Sequence, residues 1–502
     1  MADVKTALLS AFDKTGLADF ARRIAGQGYR LMASGGTHRY LAEQGIDAVE
    51  TSKITGRVEV LGGLVKTLHP GIHAGILADR ANPEHMSELS DLGYEKIDMV
   101  VVNFYALDGG RNEQDLSFID IGGPAMARAA AKNFGSCVPV PHPSWYEKVA
   151  SALESDGGIG RVLRWNLARD AIRRTGMYDA ATLNMIPSGS ETDPAVDTIL
   201  LGLTKHMDLR YGENPHQAAG FYSGSGQPPF RVLKGDLSYN NILDVDCCLN
   251  QLAEFEGNAA VVVKHVGPCG VAECGDGPVA LGRAYACDPL SAFGGVIGMN
   301  FTFSEKCAEF LAKKFVECIV APCYEDAALE RLRKKKRTRL VEAHMGSVPL
   351  EVMRTAAGGV LVQAYDGELL TQDLEFVSGG KPDPDLVDDL VFAWKAVKHT
   401  KSNGIVFASS GATIGIGAGQ PSRVDSTKIA IRKAREGGHD LTGSVMASDG
   451  FFPFPDSVEL AAEVGARAVV QPGGSIRDQE VVKRAEDLGI VMALTRTRHF
   501  KH

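Results

Sequence analysis

Residues 7–16 read Ala7-Leu8-Leu9-Ser10-Ala11-Phe12-Asp13-Lys14-Thr15-Gly16. A short apolar run stops at a polar turn closed by glycine. Beyond the turn, Leu17, Phe20, Ala21 and Ile24 recur at i, i+3, i+4 and i+7, one face of a helix. The same strand–turn–helix unit returns. Residues 29–33 (YRLMA) form a second strand candidate, Ser34-Gly35-Gly36-Thr37 the turn after it, and a helix then runs to about Gly45. Residues 99–102 read as a buried strand. Gly122-Gly123-Pro124 opens a helix to about Asn133, with proline in its first turn. Alternation of this kind predicts a doubly wound α/β domain. The polar stretch 187–194 (PSGSETDP) resembles a linker, which places a first domain at 1–195 and a second region at 196–502.

The second region is mixed. Residues 261–264 form a strand candidate that ends at His265. Residues 404–409 and 413–416 read as paired strands around Ser410-Gly411, and 425–434 as a helix. Residues 468–470, Pro472-Gly473-Gly474-Ser475, 479–488 and 490–494 read as strand, turn, helix and strand. No fixed-period repeat of solenoid type is visible.

Composition narrows the function. At 502 residues the chain has room for roughly three modules, and its 44% hydrophobic content can fill several cores. A net charge of −9 offers no broad footprint for nucleic acid. The basic run from Arg331 to Arg339 reads as a solvated helix end, with a docking patch for an anionic substrate tail as the weaker alternative. The start of the chain shows no secretory signal, and no stretch reaches the ~18 apolar residues of a membrane span. A soluble cytoplasmic protein is expected, without nucleic-acid or membrane partners. The nine cysteines contain no C-x-x-C pair and read as free, buried thiols.

Several segments carry chemistry. The turns at Asp13–Gly16 and Ser34–Thr37 each follow a strand and open a helix, where backbone N–H groups favour an anion. Lys66 lies in the Gly-rich run 62–70, either as an oxyanion partner or as a surface lysine. Asp120 stands just before a helix start, where capping alone could account for it, and Lys132 lies twelve residues on. Arg210-Tyr211-Gly212-Glu213-Asn214-Pro215-His216-Gln217 gathers a cation, an aromatic ring and an imidazole in one loop. Lys264-His265 closes an apolar strand. A nearby ammonium favours a neutral imidazole, and both side chains reach one site only where the strand ends or twists, which Gly267-Pro268 makes possible.

The segments DKTGL, ASGGT, VKTLHP, DIGGPAMARAAAKN and YGENPHQ together resemble the bifunctional purine-biosynthesis family that combines 5-aminoimidazole-4-carboxamide ribonucleotide (AICAR) transformylase with IMP cyclohydrolase. The resemblance continues through Asp288–Gly295, Lys401-Ser402-Asn403, Gly417–Arg423, Ser448–Phe454, Gln471–Ser475 and Arg498–His502. It implies a methylglyoxal-synthase-like cyclohydrolase domain followed by a transformylase region of two cytidine-deaminase-like subdomains. In the first domain it implies a nucleotide phosphate on Lys14, Ser34, Gly36 and Thr37. Lys66, Asn103, Tyr105, Asp120, Gly122 and Lys132 would surround the base. In the second it implies nucleotide contacts from Arg210, Tyr211, His216, Gly294, Glu317 and Ser475, with Arg423 and Arg498 on the phosphate and Phe451 and Phe500 flanking the base.

The implied reactions are attack of the 5-amino group of AICAR on the formyl carbon of 10-formyltetrahydrofolate, then dehydrative ring closure to IMP. His265 would accept the amine proton, and Lys264 and Asn403 would stabilise the tetrahedral oxyanion. No catalytic metal is implied, and homodimers whose transferase sites use both chains are. The chain departs from the family pattern at Phe12 (usually serine), Leu64 (usually arginine), Ala106 (usually proline) and Gly267 (usually asparagine). A transformylase joined to an impaired or nucleotide-sensing first domain is therefore the alternative reading. A zinc nucleoside deaminase is disfavoured, because neither H-x-E nor P-C-x-x-C is present around His265 and Cys269.

Overall fold

Strand β1 (Lys5–Ala11) buries Ala7, Leu9 and Ala11 against one layer of helices and Leu8 against another. A strand apolar on both faces belongs in the middle of a covered parallel sheet. In this computed structural model, which describes residues 4–56, 65–105, 116–186, 198–224, 228–346, 351–380 and 382–502, the chain forms two compact units, residues 1–204 and 205–502. The linker expected at 187–194, together with Gly62, Gly63, Leu64 and Ala106, lies outside the described residues.

In the first unit β1 is followed by α1 (Leu17–Gly26), β2 (Tyr29–Ala33), α2 (Gly35–Glu43), β3 (Val49–Glu50), α3 (Ser52–Thr55), α4 (Pro70–Leu77) and α5 (Pro83–Asp91). Then come β4 (Met99–Asn103), α6 (Gly122–Lys132), β5 (Val138–Val140), α7 (Tyr146–Glu154) and α8 (Arg161–Met185). The strands pair in the order β3-β2-β1-β4-β5, all parallel. Helices α1, α7 and α8 cover one face and α4 and α6 the other, so the doubly wound expectation holds. The order reverses between β1 and β4, and in such sheets the crevice beyond the carboxyl ends at the reversal is where ligands bind.

The second unit contains one internal repeat. A small pair, β6 (Thr204–Leu209) and β7 (Ala219–Ser223), precedes it. The first half runs β8 (Phe230–Lys234), α9 (Tyr239–Leu252), β9 (Ala259–Lys264), β10 (Gly267–Glu273), α10 (Gly277–Cys287), α11 (Pro289–Ala292), β11 (Val296–Met299), α12 (Glu305–Phe310), β12 (Cys318–Ala321), α13 (Asp326–Arg333) and β13 (Arg339–Ala343). An exposed ribbon, β14 (Glu351–Ala356) and β15 (Gly359–Ala364), follows. The second half runs β16 (Glu375–Ser378), α14 (Pro384–Lys398), β17 (Ile405–Ser409), β18 (Ala412–Gly417), α15 (Arg423–Glu436), β19 (Val445–Ser448), α16 (Asp456–Glu463), β20 (Ala468–Gln471), α17 (Asp478–Asp487) and β21 (Val491–Leu494). One half pairs as β10-β9-β11-β12-β13-β8 and the other as β18-β17-β19-β20-β21-β16. Parallel and antiparallel neighbours fall at the same places in both.

The halves join edge to edge through β10 and β18, antiparallel, with Ala272 opposite Ala412. The seam is short, and a side chain extends it. The buried Thr413 hydroxyl accepts the Val271 N–H (2.9 Å) and donates to the Val271 carbonyl (3.2 Å). Glu273 N–H adds a bond to the Gly411 carbonyl at 2.9 Å. The nine cysteines are all free, six of them buried, while Cys269 and Cys274 are half-buried and Cys323 is exposed. In the basic run Arg331, Arg333, Lys334, Lys336 and Arg337 are exposed, as a solvated helix end should be, and Lys335 and Arg339 are half-buried. Arg331 pairs with Glu305 and Glu309, Lys335 donates to the Lys314 carbonyl, and Arg339 reaches Glu317.

At the end of α14 a charged cluster is buried. Glu254 Oε1 lies 2.8 Å from Lys398 Nζ and 3.0 Å from His399 Nε2. Burial holds the His399 imidazole down at about 4. Burial also works to raise the Glu254 carboxyl, but the hydrogen bonds and charges of His399 and Lys398 outweigh it and hold that carboxyl low.

Two stability outcomes follow from these contacts. Thr413→Val keeps the shape but leaves the buried Val271 amide and carbonyl without that partner, so the second unit should lose about 1–3 kcal/mol in chemical denaturation. An unchanged midpoint would show that the seam does not depend on the hydroxyl. For the acid cluster, His399 binds its proton more weakly folded than unfolded, and the Glu254 carboxyl is also depressed. The His399 contribution is present above the ordinary histidine value of 6.5 and is lost as pH falls toward about 4, whereas the Glu254 contribution is present above the ordinary carboxyl value of 4.5 and is lost only below it. Melting temperature should drop across that window and drop less in His399→Gln. Equal slopes in the two proteins would remove His399 from the account.

Candidate active sites

The first unit has a cavity of about 720 Å³ at its switch point. Ser10, Ala11, Phe12 and Lys14 come from the end of β1, Ser34 to Thr37 from the end of β2, and Asn103 and Tyr105 from the end of β4. Lys66, Thr67, Asp120, Gly122 and Gly123 complete the wall. Two helix N-termini therefore meet in one cavity, those of α2 and α6. The Ser34 hydroxyl does not cap α2; it bonds the Ser10 hydroxyl at 2.9 Å. Uncapped first-turn N–H groups suit an anion. Gly36 meets nothing where a Cβ would stand, so its face is open.

Some residues expected to touch ligand also tie the walls together. Thr37 Oγ1 accepts the Ala11 N–H (3.0 Å) and donates to the Ala11 carbonyl (3.1 Å). Asn103 Oδ1 accepts the N–H groups of Phe12 and Asp13 (2.7 and 2.8 Å), and its Nδ2 donates to the Asp13 carbonyl (2.8 Å). Lys14 lines the cavity, its ammonium 3.4 Å from the carbonyls of Ala11 and Phe12. The Asp13–Gly16 turn folds on itself, with Asp13 Oδ1 accepting the Thr15 N–H at 2.9 Å.

Asp120 is the acid of this cavity. Burial raises its carboxyl above the usual range, partly offset by backbone bonds from Gly123 and Tyr105. Gly123 N–H reaches its Oδ1 at 2.9 Å. A Cβ on Gly123 would fall 2.5 Å from Asp120 Oδ2, and one on Gly122 would fall 2.5 Å from Thr67 Oγ1, so both glycines are required by close approach. Tyr178 on α8, which sequence reading missed, accepts the Asp120 N–H at 2.8 Å. Tyr105 is exposed and meets Phe12 edge-on at 5.3 Å. Lys132 is not brought into the cavity. It is exposed at the far end of α6, ten residues and ~15 Å from the Gly122 end. Sharing a helix with the DIGG turn therefore does not give it a share in the site.

In the second unit the sequence-predicted residues share one rim of the large sheet. Lys264 ends β9, Gly294 precedes β11, Glu317 precedes β12 and Arg339 opens β13. β11, antiparallel to β9, is followed by two parallel strands, so these ends coincide. The antiparallel seam turns the other half over. Its contribution to the same rim is therefore Asn403 before β17, Arg423 after β18, Phe451 after β19, Ser475 after β20, and Arg498 and Phe500 after β21. At ~4.8 Å per strand, Lys264 and Asn403 stand about 14 Å apart along the sheet, and Glu317 and Ser475 about 34 Å.

Around β9 the chain is strained. His265 and Val266 both have positive φ, 55° and 60°, of order 1–3 kcal/mol each for residues other than glycine. Lys264 Nζ donates to the Phe293 carbonyl at 2.8 Å, just before Gly294, itself at φ 74°. Arg210 stacks on Tyr211 at 4.6 Å and lies 3.9 Å from Glu317, which Arg339 also holds at 3.2 Å. The Arg210–Tyr211 loop is fixed to the start of α9 by Arg210 N–H to the Leu237 carbonyl (2.9 Å) and Tyr239 N–H to the Tyr211 carbonyl (3.1 Å). The Ser238–Asn241 capping box sets that helix start. His216 is exposed in the same loop.

On the other half, Asn403 Nδ2 donates to the carbonyls of Gln420 (2.9 Å) and Pro421 (3.1 Å). Both amide hydrogens are thereby engaged. Asn403 can offer substrate an acceptor but not the oxyanion donor that was expected. Arg423 is nearly buried, with Nε to Ser448 Oγ (2.7 Å) and Nη2 to buried Asp449 (2.6 Å), which leaves Nη1 for an anion. Arg498 stacks on Phe500 at 4.3 Å, and both are exposed. Gly450 is required here, because a Cβ would meet Phe500 and Arg423 at 2.6 and 2.5 Å. The last residues are clamped by Lys501 N–H to Ser402 Oγ (3.0 Å) and by buried His499 to Asp366 (2.7 Å) and the Leu369 carbonyl (3.0 Å). Ser475 has its N–H on Asp478 at 3.0 Å. Arg339 and Asp449 were legible as charged residues, but nothing local in the sequence marks their partners.

The chain matches known proteins along its length. A family model described as the AICARFT/IMPCHase bienzyme matches residues 130–433, and one described as the MGS-like domain matches residues 16–123. The chain is 42% identical over 513 aligned positions to the bifunctional purine biosynthesis protein PurH of Oceanobacillus iheyensis, covering 99% of this chain and 100% of that one. A solved structure, the crystal structure of ForH, is 34% identical over 36% of this chain and 96% of its own, at a TM-score of 0.34, too slight a likeness to bear on the fold. With one family model matching more than half of the chain and a relative this similar over its whole length, the protein belongs to the AICARFT/IMPCHase bienzyme family.

Proposed function

We propose that the protein catalyses the last two steps of IMP synthesis, with ring closure in residues 1–204 and formyl transfer in residues 205–502. The single observation that carries this division is that each unit gathers its own acid–base groups: Asp120 and Lys66 at the switch-point cavity, Lys264 and His265 at the sheet rim.

In formyl transfer the 5-amino nitrogen of AICAR attacks the formyl carbon of 10-formyltetrahydrofolate, the cosubstrate. The Lys264 ammonium faces the developing oxyanion and His265 takes the amine proton. Collapse then breaks the bond from carbon to N10, which leaves with a proton. Asn403, whose carbonyl oxygen is its available group, orients the attacking amine. The exposed ring of Phe293, whose carbonyl holds Lys264, offers the folate an apolar face. In ring closure the carboxamide nitrogen attacks the formyl carbon of the product and water is lost. Asp120 relays the nitrogen's proton, Lys66 faces the oxygen, and the α2 start holds the phosphate.

The working form is a cytoplasmic homodimer. Arg210 and Glu317 lie beside the β12 end of the rim and Ser475 beside the β20 end, ~34 Å apart along one sheet, farther than one nucleotide spans. A second copy of the rim resolves that distance, and two-fold pairing is the commonest way to supply one. The exposed apolar ribbon, with Val352, Met353, Val360, Leu361 and Val362, is a surface suited to burial between chains.

His265→Ala should abolish formyl transfer while nucleotide binding, measured by calorimetry, stays close to wild type; unchanged turnover would end the base assignment. Gly123→Ala should displace Asp120 and slow IMP formation from formyl-AICAR on the order of 10²-fold, with formyl transfer intact. If the wild-type protein itself forms IMP from formyl-AICAR no faster than buffer does, the first unit is not a cyclohydrolase and the nucleotide-sensing alternative takes its place.

A further inference from the structure

Two hairpins of the second unit are built on one plan. His265-Val266 joins β9 to β10, and Ser410-Gly411 joins β17 to β18. All four residues have positive φ, 55°, 60°, 51° and 71°. Two-residue turns of this kind favour Asn-Gly and similar pairs. Beneath each turn the sixth residue of the preceding helix is an aspartate, Asp244 on α9 and Asp389 on α14. Asp389 accepts the N–H groups of Ser410 (2.8 Å) and Gly411 (2.9 Å). Asp244 accepts the N–H of Val266 at 2.7 Å and bonds the backbone of His265 as well.

The two copies differ in what the turn costs. In the second turn Ser410 alone bears the cost, because Gly411 enters the left-handed region freely. His265 and Val266 do not, and a β-branched residue there is a marked outlier. The first turn also sits on the rim with Lys264 and Glu317. The second sits on the opposite rim, because β18 runs antiparallel to β10. Asp244 is buried in the middle of a helix, where a carboxylate is unfavourable unless hydrogen-bonded. His265 and Glu317 both lie close enough to act on its charge.

We infer that Asp244 is a positioning residue for formyl transfer, whose carboxylate holds the His265–Val266 turn in the left-handed conformation that presents the His265 imidazole beside Lys264. Asp389 is the same device without a catalytic passenger. The inference rests on His265 being the base.

The test uses steady-state formyl transfer by the full-length protein with AICAR and 10-formyltetrahydrofolate, alongside thermal melting. Asp244→Ala should lower kcat on the order of 10²-fold, the loss expected for a misplaced catalytic group, with the KM for AICAR little changed. Asp244→Asn, which still offers an acceptor, should recover much of that loss. Adding Val266→Gly to Asp244→Ala should recover part of it, because glycine holds the turn without help. Asp389→Ala should lower the melting temperature in the same way and leave kcat alone. Wild-type kcat in Asp244→Ala, or equal losses of kcat in the Asp244→Ala and Asp389→Ala proteins, would overturn the positioning role. If Asp244→Ala does not fold, wild-type kcat in Asp244→Glu, whose longer side chain misplaces the acceptor, would overturn it equally. His265→Ala separates the two ideas. Full activity there removes the base assignment, whereas no activity there with normal Asp244→Ala turnover removes only the positioning role.

Discussion

The second unit depends on a narrow seam. Two six-stranded halves with the same strand order meet along β10 and β18, and the join rests on the Ala272–Ala412 pair, the Thr413 hydroxyl and the Glu273–Gly411 bond. Because the joined strands are antiparallel, one half is turned over relative to the other. The strand starts of one half therefore share a rim with the strand ends of the other. Gly294 and Glu317 come from the first kind of end, with Lys264 beside them at the close of the antiparallel β9, and Phe451, Ser475 and Phe500 from the second. Had the repeats been joined in parallel, these groups would stand on opposite rims.

In both units many of the polar side chains near a site hold one another. Thr37 and Asn103 fasten the β1 loop, Asn403 fastens the 420–421 segment, and Asp449 engages Arg423. Such ties restrict the few groups left to meet substrate, and preorganisation of that kind is what lets a fixed dipole or charge act without rearrangement. Glycine serves the same end. At Gly122, Gly123 and Gly450 a side chain would strike Thr67, Asp120 or Arg423, so backbone and functional groups approach more closely than any other residue permits.

The strain at His265–Val266 lies in the only one of the two related turns that carries an imidazole. A turn of the same geometry with Ser410-Gly411 shows what the fold asks for, and the departure from it is local to the rim where Lys264 stands. Strain at both residues of one copy, against Ser410 alone in the other, marks the His265–Val266 turn as the place to look for chemistry rather than folding.

By itself the sequence determined the element types and their order. Apolar periodicity marked β1, α1 and β2, the Gly-Gly-Pro start marked α6, and the paired strands around Ser410-Gly411 were visible because each rests on residues near in the chain. The motifs also determined which residues to watch, and most of them gather at two places. Tertiary structure alone decided the rest. It removed Lys132 from the cavity, because eleven residues of helix carry it away. It turned Asn403 from a donor into an acceptor and joined Arg339 to Glu317, Tyr178 to Asp120 and Asp244 to Val266. The motif resemblance implied two like subdomains, but their six-strand pairing was hidden for the same reason: it depends on contacts between distant residues, and no periodicity along the chain records it.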